Sequence, residues 1–167
     1  HIIKLLNFFV QRNHYRKVKL NDELSAHIFD RYLESLDPNR NFLYATDVQK
    51  FSHLRSRLDD ALRREQLAPV FSLFNDYRNR VENRVEHALR LLDNPFNFDI
   101  DERYQFDRRD APWITSTPAM DELWRQRVKN DYLSLKISGK TYDEITKTLR
   151  DRYRQIKRRV HQFTNQD

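Results

Sequence analysis

The chain has 167 residues, of which 34% are charged and 38% apolar, and its formal net charge is +6. It has no cysteine, which excludes disulfide bonds, thiolate metal sites and cysteine nucleophiles. It has one glycine, Gly139, whereas strand-rich folds and phosphate-binding loops need several glycines for their turns and close backbone approaches. High charge is also typical of disorder, but 11 phenylalanines, 8 tyrosines and 2 tryptophans argue against it. The composition therefore predicts an all-α fold of long helices, and the length allows one domain or at most two small ones.

The first two predicted helices lie in the N-terminal part of the chain. Apolar residues at helical spacing predict a helix over residues 1 to about 12. Asn21 or Asp22 can cap a second helix, which Pro38 ends. No stretch approaches the roughly 20 apolar residues of a membrane span. The chain starts at His1 without a Met or a signal-peptide layout, so we expect a trimmed N-terminus and leave a removed export signal open.

Two more helices are predicted in the middle of the chain. Residues 46–49, with the sequence TDVQ, form a capping box that opens a third helix, and its apolar stripe continues to Leu62. A fourth helix begins near Leu67 or Ala68, and Pro95 closes it.

The last two predicted helices complete a set of about six. Thr117 caps one of them, Pro118 takes its first helical position, and Gly139 stands at the expected C-terminal stop. Thr141 and Glu144 form the capping box of the final helix.

A long aromatic-rich loop is predicted near residues 94–116, between the fourth and fifth helices. It has no helical periodicity, and unstructured loops longer than about 12–15 residues usually have a role. Its apolar side chains either pack back on the helices or dock onto another domain or partner. They are Phe96, Phe98, Ile100, Tyr104, Phe106 and Trp113.

Several motifs imitate known sites without completing them. Residues 37–41 resemble half of a calcium loop, but Phe42 and Val48 occupy the positions where that loop needs Gly and Glu. We therefore predict an interhelical turn in which side chains hydrogen-bond the local backbone. The six histidines lack metal-ligand spacing, and no serine lies in a strained glycine-rich turn. The sequence predicts no catalytic residue, no cofactor-binding residue and no metal ligand.

The final predicted helix is strongly basic. Eight basic residues and three acidic residues lie between Lys140 and His161. This face could be solvated, could contact a protein surface within or outside the chain, or could follow phosphates, although no recognition-helix layout accompanies it. The cations that lie away from the apolar stripe are Lys147, Arg150, Arg154, Lys157 and Arg158.

A set of segments in order along nearly the whole chain resembles the N-terminal helical domain of tail-specific, or carboxy-terminal processing, proteases. No single segment is specific for this family, but the whole set in this order is. The segments are HYR at 14–16 with Val18 and Leu20, DELS at 22–25, IFDRYL at 28–33, LDPNR at 36–40, DR at 107–108, APW at 111–113, LW at 123–124, RVK at 127–129, LSLK at 133–136, GKT at 139–141, RY at 152–153 and RR at 158–159.

The resemblance implies a setting that the residues alone do not. In this family the helical domain precedes a PDZ domain and a serine protease domain with a Ser-Lys dyad, which lie beyond the segments matched here. The family acts in the bacterial periplasm, cleaves proteins near their C-termini, and in some cases works with a lipoprotein adaptor. Residues 111–113 become a candidate docking segment, because Trp113 after a proline offers a rigid apolar contact.

The first functional hypothesis is a non-catalytic domain that supports such a protease or offers a docking surface for substrate or adaptor. The alternative is a stand-alone basic helical module that binds nucleic acid or an acidic protein. In either case the candidate docking residues are Trp113, Phe106, Arg150, Arg154, Lys157 and Arg158.

Overall fold

A computed structural model describes residues 22–64 and 66–163, so the helix predicted over residues 1–12 lies outside the described residues. The described part is all-α, with a single isolated bridge, between Tyr44 and Ile114, in place of a sheet. None of its helices combines the length and apolar character needed to cross a membrane. The elements are α1 (Asp22–Leu36), α2 (Ala45–Lys50), a 3₁₀ helix (Ser52–Ser56), α3 (Leu58–Arg63), α4 (Ala68–Leu91), α5 (Thr117–Ile137) and α6 (Tyr142–Gln162).

The third predicted helix is wrong in its continuity, because residues 45–63 form three short helices. Tyr44 rather than Thr46 is the N-cap, and the Asp47 carboxylate accepts the Tyr44 N–H at 2.9 Å. After Lys50 the ladder tightens to 3₁₀, where the Ser52 hydroxyl donates to the Gln49 carbonyl at 2.8 Å. Such side-chain bonds compete with the bonds that continue an α-helix.

The short helices pack with α1 and the start of α4 around one core. Phe29, Leu54, Leu58 and Leu73 are fully or almost fully buried there. The predicted apolar stripe of this region therefore faces the core as expected, although the helix carrying it is broken.

Helices α4, α5 and α6 surround a second core. Its largest side chains are Trp124 and Tyr153, whose rings meet edge to face with centroids 6.4 Å apart. The Trp124 indole N–H donates to the Asn41 carbonyl at 2.8 Å, and the Tyr153 hydroxyl donates to Asp131 at 2.7 Å. Both buried polar groups are thus satisfied, as burial requires.

The predicted interhelical turn at residues 37–41 is confirmed. The buried Asp37 carboxylate accepts the backbone N–H groups of Asn41, Phe42 and Leu43 at 2.8–2.9 Å. Burial raises the pKa of Asp37, and these three N–H donors oppose that shift. The carboxylate therefore holds the backbone turn together.

The ends of the long helices follow the predicted signals with one correction. Ser116, not Thr117, is the N-cap of α5, and its side chain accepts the Ala119 N–H. Gly139 has φ +86°, and its N–H donates to Lys136 while the Lys140 N–H donates to Leu135, which closes α5 in a Schellman motif. The Thr141–Glu144 capping box of α6 is confirmed.

Candidate docking surface

The basic helix α6 lies against α4 through a series of antiparallel ion pairs. Steps of seven and four residues forward along α6 match steps of seven and four residues backward from a residue just after α4 into that helix. The nitrogen and oxygen atoms of the three pairs are 2.6, 3.9 and 2.7 Å apart, and the third is an ion pair only when its histidine is protonated. The pairs are Arg150–Asp93, Lys157–Glu86 and His161–Glu82.

Two of the predicted docking cations, Arg150 and Lys157, therefore contact acidic residues of this same chain. Surface ion pairs of this kind contribute about 0–1 kcal/mol each, so they add little to stability and follow the register in which the two helices pack. Of the three interpretations of the basic face, the intramolecular protein contact applies to these two residues.

The other two cations, Arg154 and Arg158, are exposed and share one side of α6 with the exposed Lys147. None of the three has an ion pair or side-chain hydrogen bond with another residue in ranges 22–64 and 66–163. We call Lys147, Arg154 and Arg158 the exposed basic strip. Asp151 is the acidic residue between them in sequence, so the strip keeps a positive balance.

The aromatic residues of the long loop differ sharply in exposure. Phe106 is 80% exposed, whereas Trp113 is half-buried against the core around α1, with the Arg40 guanidinium 4.9 Å from its ring. The predicted docking residues therefore fall into three groups: two cations paired with α4, two in the exposed basic strip, and two aromatic residues on the loop.

Ion pairs hold the middle of this loop against α5. Glu102 accepts hydrogen bonds from both Arg125 and Lys129. The hydrogen bond from Arg125, followed by the one from Lys129, lowers the pKa of Glu102 to about 2. Glu102 is therefore a stably ionised anchor, which is unsuited to general acid or base work near neutral pH.

The sequence reasoning missed two exposed apolar side chains that flank the turn between α5 and α6. Ile137 is 77% exposed and Tyr142 53%, and Ile100 of the predicted loop is also exposed, at 56%. The signal was present, because Leu133 and Ile137 lie off the apolar stripe that α5 turns to the core. Clustered exposed apolar residues are typical of contact surfaces.

The described residues offer no evident metal centre. No group of three or more His, Asp or Glu side chains within them is placed to hold a metal ion. What the arrangement can do is bind: it presents exposed cations on a rigid helix and exposed apolar side chains on a loop and a helix turn.

Comparison with known proteins gives consistent results. Residues 7–167 match the model of the family described as the tail specific protease N-terminal domain. A tail-specific protease of Haemophilus influenzae is 33% identical to the chain over 157 residues, which cover 93% of this chain and 23% of that protein. The chain thus spans about a quarter of the length of this curated relative. It belongs to the tail-specific protease N-terminal domain family.

Proposed function

We propose that the chain is the non-catalytic N-terminal helical domain of a longer tail-specific serine protease, and that it provides structural support and a docking surface for substrate or adaptor. The observation that carries the docking role is the exposed basic strip of Lys147, Arg154 and Arg158, whose charges have no acidic partner in the described part of the chain. The relative's greater length supports the longer parent.

The wider setting follows from the family and belongs to the same proposal. Residues 1–167 form one helical domain that precedes PDZ and protease domains, and the Ser-Lys dyad lies in the latter. The protein works in the periplasm, and its docking partners are the remainder of the protease, protein substrates and a lipoprotein adaptor.

The exposed basic strip favours a partner with an acidic surface. Exposed charges of this kind act mainly on the association rate and on the choice of partner, and salt screens them over about 8–10 Å. Phe106 and the exposed residues around the α5–α6 turn supply apolar contact area, whereas Trp113 serves to pack the loop.

The test neutralises the strip in the full-length protease with Lys147→Gln, Arg154→Gln and Arg158→Gln together. We expect the association rate with an acidic protein substrate or adaptor to fall at least severalfold at low salt, with the difference shrinking as salt rises. Turnover of a short uncharged peptide should be unchanged. Arg150→Gln is the matched control, since it removes a cation that contacts Asp93 rather than a partner.

Equal association rates for the triple variant and the unmodified protease would contradict the docking role. The nucleic-acid alternative predicts instead that the strip binds a defined DNA or RNA site. We expect only weak binding that is lost as salt rises, which a filter-binding titration at two salt concentrations would measure.

A further inference from the structure

Helix α6 carries two rows of basic residues with the same spacing, a step of seven residues followed by a step of four. The row that meets acidic residues is Arg150, Lys157 and His161. The exposed basic strip follows the same two steps, three residues earlier in the chain. Because an α-helix has 3.6 residues per turn, this offset rotates the strip by about 60° around the α6 axis and shifts it by about 4.5 Å along it. The strip is therefore a second row of the same geometry beside the paired one.

The helix fixes where the charges of the strip lie relative to one another. Along the axis, Lys147 lies about 10 Å from Arg154, and Arg154 lies about 6 Å from Arg158, given the rise of about 1.5 Å per residue. The three side chains leave α6 within an arc of about 40°, on the side opposite to the buried Leu149. A partner can therefore contact all three cations without entering the core.

Asp151 gives this side of α6 a definite order of charges. It is exposed, and it lies four residues after Lys147 and three before Arg154, which places it on the same side of the helix. In the described part of the chain it forms no ion pair with either cation. The order along the strip is thus basic, acidic, basic, basic, and the exposed Asp143 lies one turn before it.

This order favours a protein surface of matching charges over a nucleic acid. A nucleic acid strand repeats one negative charge, so its backbone would meet repulsion from Asp151 in the middle of the strip. Surfaces that bind single strands also offer aromatic side chains on which bases stack. The residue that follows Arg154 on α6 is instead the polar and exposed Gln155.

The paired row shows which kind of partner fits this spacing. Its acidic partners come from one antiparallel helix and the residue just after it: Glu82, Glu86 and Asp93. Along the chain these acids follow a step of four and then a step of seven residues, the reverse of the steps on α6. An antiparallel helix with carboxylates at these steps thus matches one row of α6, and the strip offers the same steps to another helix.

We propose that the exposed basic strip binds an acidic α-helix of a partner protein, antiparallel to α6, with acids at positions 1, 5 and 12 facing Arg158, Arg154 and Lys147. Position 8 of that helix faces Asp151 and carries a basic or neutral residue. The proposal rests on the docking role of the strip proposed above, and it adds the class of partner and the register. Because the strip is polar, the order of charges rather than apolar packing selects the partner.

Binding of helical peptides to the full-length protease tests the register. Three alanine-rich peptides carry three glutamates and one lysine, so their composition and net charge are equal, and their blocked termini exclude capture of a chain end. The matched peptide has glutamates at positions 1, 5 and 12 and lysine at position 8. The reversed peptide has lysine at position 5 and glutamates at positions 1, 8 and 12, which fits a parallel helix, and the scrambled peptide spreads the charges over all sides.

Fluorescence anisotropy of labelled peptides at low salt gives the affinities. Exposed ion pairs are individually weak, so we expect the matched peptide to bind at least about threefold more tightly than the other two. The preference should disappear as salt rises, because salt screens exposed charges.

Matched double variants locate the peptide on the strip. Arg154→Gln with Arg158→Gln removes two charges of the strip, whereas Arg152→Gln with Arg159→Gln removes two exposed charges from another side of α6. The first pair should abolish the preference for the matched peptide, and the second should preserve it. Asp151→Lys should reverse the choice at position 8, so that a peptide with glutamate there binds better than the matched one. Circular dichroism should show all variants folded.

Several results would overturn the proposal: no binding of the matched peptide, equal affinity of the matched and scrambled peptides, a preference for the reversed peptide, or an Asp151→Lys variant that still prefers lysine at position 8. Displacement by a trinucleotide at lower concentration than by the unlabelled matched peptide would make the strip a phosphate site and overturn it as well. If all peptides bind equally but Arg154→Gln with Arg158→Gln weakens them, the register fails and the docking role stands. Unchanged association rates for the triple variant described above would instead remove the docking role itself.

Discussion

Trp124 provides the sharpest test of how the two halves of the fold are joined. Its ring is 0% exposed, and its indole N–H reaches the carbonyl of Asn41, in the turn after α1. The 2.8 Å bond therefore connects α5 to the Asp37 turn across 83 positions in sequence. Phe42, with its ring centroid 5.4 Å from that of Trp124, packs at the same junction.

Trp124→Phe should lower the free energy of unfolding by about 2–5 kcal/mol. The lost donor leaves the Asn41 carbonyl buried and unpaired, which costs about 1–3 kcal/mol. The smaller ring leaves a cavity, which adds about 1–2 kcal/mol on the scale of buried methylene deletions. Urea unfolding followed by far-ultraviolet circular dichroism would measure the difference.

Trp113→Phe is the matched control for this substitution. Trp113 is half-buried, and its indole N–H has no hydrogen-bond acceptor among the described residues. The same change there should cost less than about 1 kcal/mol, because little buried contact and no hydrogen bond are lost. Equal effects of the two substitutions, or a Trp124→Phe variant as stable as the unmodified chain, would refute this reasoning.

Two further predictions concern a helix stop and an ion pair. Gly139→Ala should lower the free energy of unfolding by about 1–2 kcal/mol, because φ is +86°; an added Cβ would meet no neighbouring atom, so the backbone conformation is the whole cost. Gly139→Asn should lower it less, because Asn tolerates this conformation better, and melting temperatures would show the order. Arg125 and Lys129 lower the pKa of Glu102 from 4.5 to about 2. The contribution of its ion pairs to folding stability is therefore present above pH 4.5 and lost as the pH falls toward 2. Stability measured against pH should therefore be flatter in this window for Glu102→Gln, and an identical slope would contradict the ion pairing.

The long helices could be predicted because their signals are local. Apolar spacing marks the buried faces of α4, α5 and α6, and Gly139 and the Thr141–Glu144 box mark their ends. The segment 45–63 shows where such reasoning fails. Its apolar spacing is helical, but side-chain bonds from Ser52 and its neighbours to backbone carbonyls interrupt the ladder, and periodicity carries no information about them.

The loop residues could be predicted as a group but not individually. Phe106 and Trp113 have the same chemical character and lie seven positions apart, yet one is exposed and the other packs on a core. The difference arises from long-range contacts that anchor the loop. Glu102 of the loop accepts a hydrogen bond from Arg125 of α5, and the Ile114 carbonyl accepts the Ala45 N–H at 2.8 Å. No local pattern encodes where those anchors hold the loop.

The exposed basic strip shows why charge composition alone does not define a docking surface. Arg150 and Arg154 are identical residues one helical turn apart, and only the first meets an acidic residue, Asp93, just after the end of α4. Which cations stay available depends on the antiparallel register of α4 and α6, and that register is set by core packing around Tyr153 and Leu149. A one-turn shift between the two helices would exchange the paired and unpaired arginines without changing the net charge. The availability of Arg154 and Arg158 to a partner is therefore a property of the fold, and the charge of the helix carries no information about it.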